Sequence, residues 1–461
     1  MTDTAFLSDA YQKMLGYLPV AQLDPDFRPT LAAVMREELP EGLRRAWALC
    51  VYEAEKNFKP SPYGGDYFTA GGRGGWQGMV FGQDTVGAGL LALNRLYPDL
   101  MRSQLRTYVL ARLNIGLMGV NGWQLENVDG AVHADVDAWV PESREFIKRF
   151  SISPALNRTG EDVGWLWSAG ELFDLQGDLL DWAWLYQMGE LFFSHFYQPF
   201  FDDKDGLYFG QASFIDVGGS GYPLSFGGAT QAGRNAAVWI KASSTNALYA
   251  RDMDVMAHAA RLLGMDKKAD AWEKRAQALR TAMRDRLRFA DGTFAYFMRR
   301  DGTLEGRVEA LGAAYAVLAE VVTGEDAVRA LALDRLPRSD AGVPCFFPFY
   351  ADNPKVYHNH AAWPFVSTFY YWACEKATGK SAMREDARQL AQSITVPAGP
   401  LKLNEKGCLA DYQTGTFKEI IRWADQTPDG VSAQMWTLGA FMNLCLRQNW
   451  LTIPYQHSRF L

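Results

Sequence analysis

The stretch SSTNALYARDMDVMAHAARLLGMDKKADAWEKRAQALRTAMRDRL, Ser243–Leu287, decides the fold class. In its second half Ala269, Trp272, Ala276, Leu279, Met283 and Leu287 recur at three- and four-residue steps with charges between them. That is the apolar stripe of a surface helix. The first half, 243–264, reads as another helix. Gly264 ends it, and Asp266 is placed to cap the next. Two helices joined by so short a turn make an antiparallel hairpin.

Similar segments recur along the chain. The periodicity predicts helices near 29–56 (broken around Pro40), 84–97, 99–116, 136–149, 161–175, 178–197, 267–288, 307–323, 325–333, 360–378, 381–394 and 430–447. Short strands interrupt them. DGLYFG (205–210) is one, and FADGTFAYFMRRDGTL (289–304) carries two Asp-Gly hairpin signals. No Pro/Ser-rich linker divides the chain, so a single domain over 1–461 is expected. About a dozen helices in hairpins can form an open solenoid or a closed ring of six. The absence of a strict sequence repeat weighs against the solenoid.

With 48% hydrophobic and 21% charged residues, the 461-residue chain can bury a large core. The net charge of -7 comes without a basic block, which argues against nucleic acid as a partner. No apolar run reaches membrane-spanning length, and the N-terminus lacks a signal-peptide pattern. A cytoplasmic protein is expected, with no membrane partner. A homo-oligomer is compatible with this sequence, which leaves the oligomeric state open. The five cysteines, Cys50, Cys345, Cys374, Cys408 and Cys445, are odd in number and far apart. They read as buried free thiols rather than a disulfide framework or a zinc site.

Five long connections hold the chemistry-bearing residues. GGRGGWQGMVFGQDTVGAGLLAL (71–93) offers Arg73, Trp76 and Gln83 ahead of Asp84, a cap or first-turn residue that can also bind sugar hydroxyls. NRTGEDVGWLWSAGELFDLQGD (157–178) offers Glu161, Asp162 and Trp165; Trp167 lies on the opposite side of the same helix. SFIDVGGSGYP (213–223) sets Asp216 among glycines, with Phe214 and Tyr222 nearby. Its carboxyl is either a turn former or a partly desolvated acid with a raised pKa. VYHNHAAWPFVSTFYYW (356–372) brings His358, His360 and Trp363. A metal reading of H-x-H lacks a third ligand, and hydroxyl binding by His360 fits better. The stretch from Leu403 to Ala440 holds Glu405, Asp411, Glu419, Asp425 and Asp429 before Gln434 and Trp436.

Two carboxylates facing each other across a sugar are what glycoside hydrolysis requires. No G-x-S-x-G, Walker loop or H-E-x-x-H competes, and GGRGG lacks the Lys-Ser/Thr of a phosphate cradle.

From about Arg73 to Phe441 the chain resembles the six-hairpin glycosidases, a superfamily that includes glucoamylases, trehalases, mannosylglycerate hydrolases and processing α-glucosidases. FGQDTVGAGLLAL is similar to the W/R-D-T/S helix start that contacts the terminal sugar. SFIDVGGSGYP resembles the E-S-G-x-D loop of the general acid. The hairpin opening at IKASSTNALYARD resembles the family's Asn-Ala-Leu-Tyr helix, with Lys241 and Asn246 near the cleft. YHNHAAWPFVSTF resembles Y-x-N/G-x-x-W-P, and DYQTG…QMWTLGAF resembles W-E-x-Y-D-P-x-T-G…W-S-A.

The resemblance implies an all-α (α/α)6 toroid of six helical hairpins with short β-hairpins in the loops. It implies an inverting, exo-acting hydrolase of a small α-linked glycoside, with no metal and no organic cofactor. Asp216 takes the acid's place. The base glutamate's slot holds Cys408, so the base falls to Asp411, then Glu405, then Glu419. Arg73, Trp76, Gln83, Asp84, Asp162, Trp165, Lys241, Asn246, His360, Trp363, Gln434 and Trp436 are the expected sugar-binding residues. A sugar 2-epimerase or isomerase on a similar toroid, using two histidines such as His258 and His360, is the alternative, as is a non-catalytic carbohydrate binder.

Overall fold

The computed structural model describes residues 29–61, 63–71, 79–114, 123–124, 163–215, 220–226, 239–379, 384–395 and 416–453. Twelve α-helices of seven residues or more run through them. They are α1 (Glu41–Lys56), α2 (Gly82–Ala88), α3 (Pro98–Asn114), α4 (Trp165–Gln176), α5 (Leu179–Leu191) and α6 (Ser243–Leu262), followed by α7 (Asp266–Arg286), α8 (Ala310–Leu318), α9 (Gly324–Ala330), α10 (Pro364–Thr378), α11 (Arg384–Thr395) and α12 (Met435–Arg447).

The even-numbered helices form the inner wall. Each packs on the next: α2 on α4, α4 on α6, α6 on α8, α8 on α10, α10 on α12, and α12 back on α2. The circuit is closed, so the ring holds and the solenoid does not. The odd-numbered helices stand outside. Thus α5 packs against α4 and α6, α9 against α8 and α10, and α11 against α10 and α12. Burial follows from these positions. In α8 every residue from Ala310 to Leu318 is buried, whereas α7 buries only the stripe Ala269, Trp272, Ala276, Leu279, Arg280 and Met283. A helix walled on all sides must be apolar all round, and one facing water on one side need not be.

Element boundaries depart from the sequence reading where local chemistry intervenes. Gly264 takes φ +72 and ends α6, as expected, but Asp266 is the first residue of α7 and Met265 its N-cap. Pro40 precedes α1, and the segment before it is not helical: Val34–Met35 pairs antiparallel with Leu451–Thr452. α2 continues as a π-helical turn, Gly89–Leu93. A Cβ on Gly89 would sit 2.5 Å from Ser168 Oγ of α4, so the two helices come together only because that atom is missing. The start predicted at 307 moves to Ala310, because Val308–Glu309 pairs with Phe346–Phe347. The start predicted at 360 moves to Pro364, because Ala361–Ala362 pairs with Ile421–Arg422. The helix predicted over 136–149 lies outside the described residues. Cys50, Cys345, Cys374 and Cys445 are free and buried. Among the described residues no helix is long and apolar enough to cross a membrane.

One buried contact ties two inner helices. The N-cap of α4 is Gly164, with φ +95 and no side chain to satisfy the first-turn donors. Asp252 of α6 supplies the acceptor: Oδ2 accepts from Gly164 N (2.8 Å) and Oδ1 from Trp167 N (3.0 Å). Burial pushes this carboxyl up to about 7, against the pull of the two donors. A folded-state pKa above the unfolded one means that the folded chain holds the proton more tightly. The group's contribution to stability is therefore full below about pH 4 and declines as pH rises toward 7. Asp252→Ala should cost about 3 kcal/mol by stranding two buried N–H groups. Asp252→Asn should flatten the pH dependence of stability between pH 4 and 7. Urea denaturation across that range measures both.

Candidate active site

The inner helices run parallel, so their N-termini meet at one end of the ring. The contacts there show it. Gln434, the N-cap of α12, turns its Oε1 to accept from Trp436 N (3.1 Å) and donates Nε2–H to Asp84 Oδ1 (3.3 Å) in the first turn of α2. Asp84 is buried, which a mere surface cap would not be. Trp363 is the N-cap of α10, with Pro364 at its first position, where the missing N–H costs nothing.

Above these starts sits an aromatic box. Phe365 and Trp436 stack at 4.3 Å with planes 3° apart, and Trp363 meets Trp436 edge-on at 5.3 Å. Phe214 inserts into the box, edge-on to Trp363 (4.9 Å), Phe365 (4.7 Å), Trp436 (5.7 Å) and His358 (4.9 Å). The four aromatic side chains are nearly fully buried. Trp436 Nε1 is buried with no hydrogen-bond partner among the described residues, as is Gln83 Oε1.

Both ends of the Gly-rich loop are pinned. On the entry side Ala212 N donates to Tyr222 Oη (2.9 Å), Ser213 N donates to Ser244 Oγ (2.9 Å), and Thr245 Oγ1 donates to the Gln211 carbonyl (2.6 Å). On the exit side Asn359 N donates to Ser220 Oγ (3.1 Å) and Tyr296 Oη to the Gly221 carbonyl (2.8 Å). Phe214 and Ser220 both take left-handed backbone conformations, φ 64 and φ 76. Such strain persists only where the surroundings over-determine the backbone.

The structure thus gathers Asp84, Trp363, Gln434 and Trp436, four of the residues expected at a sugar pocket. Gln83 adjoins Asp84 in the same first turn. Glu419 joins them from the strand Ile420–Arg422's leading edge: it is buried, and its Oε1 accepts from Tyr357 Oη (2.8 Å), whose ring packs on Trp363 at 5.0 Å. Asp216, Asp411, Glu405, Arg73, Trp76 and Asp162 lie outside the described residues.

Other expected residues are used up by the fold. Trp165 is fully buried among Trp184 and Phe192, in the core rather than on a cleft. Lys241 is buried with its ammonium held between Asp202 (2.7 Å) and Asp205, a structural ion-pair setting. Asn246 spends its amide on the Tyr208 N–H and the Tyr208 and Ala242 carbonyls. His360 is turned by φ 57 toward Phe349, 4.7 Å away, while His358 stacks on Trp363. The two histidines of H-x-H therefore face different neighbours. His258 is farther still. It lies fifteen residues into α6, about 22 Å along the helix from its N-terminus, in a cavity of about 280 Å³ with Asp174 and Trp182.

Sequence reasoning passed over Phe365, Tyr357 and Glu309. Glu309 is the N-cap of α8, fully buried, and burial pushes its carboxyl up to about 8, only partly offset by the Ser244 hydroxyl and N–H. Its signal was legible: it is the lone acid directly before the uncharged run Ala310–Ala319.

Solved structures share this architecture. A GH78 family rhamnosidase of Bacillus sp. GL1 superposes with a TM-score of 0.55 at 14% identity, over 92% of this chain and 36% of its own. A sialidase does so with a TM-score of 0.56 at 13% identity, over 96% of this chain and 37% of its own. Neutral trehalase Nth1 from Saccharomyces cerevisiae gives 0.55 at 12% identity, over 88% and 80%. The chain therefore spans little more than a third of the first two. The closed helical ring is the fold these structures share with the chain. Residues 228–405 match the family model of the mannosylglycerate hydrolase MGH1-like glycoside hydrolase domain. No curated protein matches the sequence.

The placement of Lys241 has a measurable consequence. Lys241→Met strands two carboxylates that are 18% exposed. It should cost about 2–4 kcal/mol of stability and leave KM for any substrate unchanged in the folded fraction. A thermal melt beside a rate assay separates this from a sugar-binding role.

Proposed function

We propose that the protein is an inverting, exo-acting glycoside hydrolase of a small α-linked glycoside or oligosaccharide. The observation that carries this reading is the convergence, at the N-terminal end of the ring, of the buried Asp84–Gln434 pair and the aromatic box that receives Phe214, two residues before Asp216. Pinned loop ends suit an acid that must be held to within a fraction of an ångström. The MGH1-like match over 228–405 supports the same class of chemistry.

In this reading Asp216 donates its proton to the glycosidic oxygen as the bond to the anomeric carbon breaks. Asp411, from the C-terminal segment, removes a proton from a water that attacks the opposite face, so the product anomer is inverted. Asp84 and Gln434 bind hydroxyls of the terminal sugar, where their planar polar groups each meet two oxygens. Trp363 and Trp436 cover its apolar face, and the indole N–H of Trp436 is a donor awaiting an acceptor. A second reading makes Glu419 the base, because it lies buried beside Tyr357 in the same cluster. The isomerase alternative loses its support, since His258 and His360 belong to opposite ends of the ring. A non-catalytic binder would show affinity without turnover.

Asp216→Asn should lower kcat on poor-leaving-group substrates by roughly 10³-fold or more with an unchanged melting temperature. Wild-type turnover would remove Asp216 from the mechanism. Azide should rescue the variant of whichever residue is the base, Asp411→Ala or Glu419→Ala, and yield a glycosyl azide of inverted configuration. NMR of the released anomer over a panel of natural disaccharides reads the stereochemistry.

A further inference from the structure

The segment that leads into Asp216 is held through a chain of buried groups ending on Glu309. Ser213 N donates to Ser244 Oγ (2.9 Å), so the Ser244 hydroxyl has its own proton left to give. Glu309 faces that hydroxyl and the Ser244 N–H, one of the first-turn donors of α6 that have no acceptor within their own helix. The glutamate sits at the N-cap of α8 but makes no capping bond to α8 itself. Neither of its oxygens completes a hydrogen bond of ordinary geometry, and both are shut off from solvent. On the other side of the same first turn, Thr245 Oγ1 holds the Gln211 carbonyl, and the Gln211 side-chain amide is likewise buried with no partner among the described residues.

We infer that Glu309 is a positioning residue for the segment that leads into Asp216: as a neutral carboxylic acid its carbonyl oxygen accepts a hydrogen bond from the Ser244 hydroxyl, fixes Ser244 against Ser213 N, and so holds the strained Phe214 in register with the aromatic box. A neutral acid suits the place. The groups around it are Ser244 from α6, Tyr315 from α8 itself, Tyr296 from the strand after α7, and Cys345 from the segment before Phe346–Phe347. None of these is a cation that would hold it ionised, and burial pushes its carboxyl up to about 8. Ionisation above that pH places an uncompensated charge in the middle of the ring, and the Ser244–Ser213 contact is what adjoins it.

The inference rests on the hydrolase reading for its catalytic consequence, but not for its structural one. Three variants test it: Glu309→Gln, Glu309→Ala and Ser244→Ala. Glu309→Gln keeps the shape without the ionisation. It should retain kcat within about threefold at pH 7 and hold it at pH 8–9, where the wild type falls. Glu309→Ala should lower kcat on the order of tenfold with KM little changed. Hydrogen exchange at the Ser213 amide should quicken on the order of tenfold or more in both Glu309→Ala and Ser244→Ala. A purely packing role would lower melting temperature without moving the alkaline limb. Coincident alkaline limbs in wild type and Glu309→Gln, or unchanged Ser213 protection in both truncations, would overturn the inference. If the wild type turns over no glycoside, the hydrolase reading falls alone, and the exchange measurement still decides the role of Glu309.

Discussion

Everything at the active end follows from six inner helices that point the same way. A helix start carries unpaired N–H groups and a partial positive charge. Bringing six starts together concentrates both. A conventional set of Ser, Thr or Asp caps would neutralise each start separately. The chain does otherwise: Phe81, Gly164, Ala242, Glu309 and Trp363 occupy the N-cap positions, and none makes a side-chain capping bond to its own helix. For α4 the acceptor comes instead from a neighbour, Asp252 of α6, while Gln434 caps its own helix α12 with Oε1 and links it to α2 by donating to Asp84. Four of the buried acids, Asp84, Asp252, Glu309 and Glu419, sit around these starts; Glu53 and Asp181 are buried in the outer helices α1 and α5.

This arrangement suits the proposal that loops, not helices, carry the reactive groups. The inner helices are too tightly packed to present long side chains inward: α8 is uncharged along its length, and α2 approaches α4 to the limit that Gly89 permits. Short two-residue strands lead into α2, α6, α8 and α10 and fix the loops above them. The described ends of the Gly-rich connection are the extreme case: the entry is bonded to Tyr222 and to Ser244 of α6, the exit to Asn359 and Tyr296.

Much of the ring was legible in the sequence because periodicity reports burial directly. The stripe Ala269–Leu287 matched the buried face of α7, and Gly264 marked the turn. Helix starts were less legible, because pairing of Val308–Glu309 and Ala361–Ala362 with distant strands removed residues that local preference gives to helix. Among polar residues, Asp84, Gln434 and Trp363 were recognised by their position at helix starts. Lys241 and Asn246 stood in equally suggestive places, but their partners Asp202, Asp205 and Tyr208 lie 36 to 39 residues earlier, and no local pattern announces such pairings. Glu309 was missed for the opposite reason: an acid before an apolar run reads as an ordinary helix start, and only the packing of α6 against α8 reveals what it faces.

The seam between α2 and α12 joins residues 350 positions apart, as the Gln434–Asp84 contact measures. During translation at about 5–20 residues per second, α2 therefore waits roughly 20–70 s for the helix that covers its flank. Ala88, buried in the finished ring against Gly439 of α12, spends that time without its final neighbour. A nascent chain of this shape is born with an open wound along its first hairpin, and its passage through the ribosome exit is the period in which holdase chaperones have something to bind.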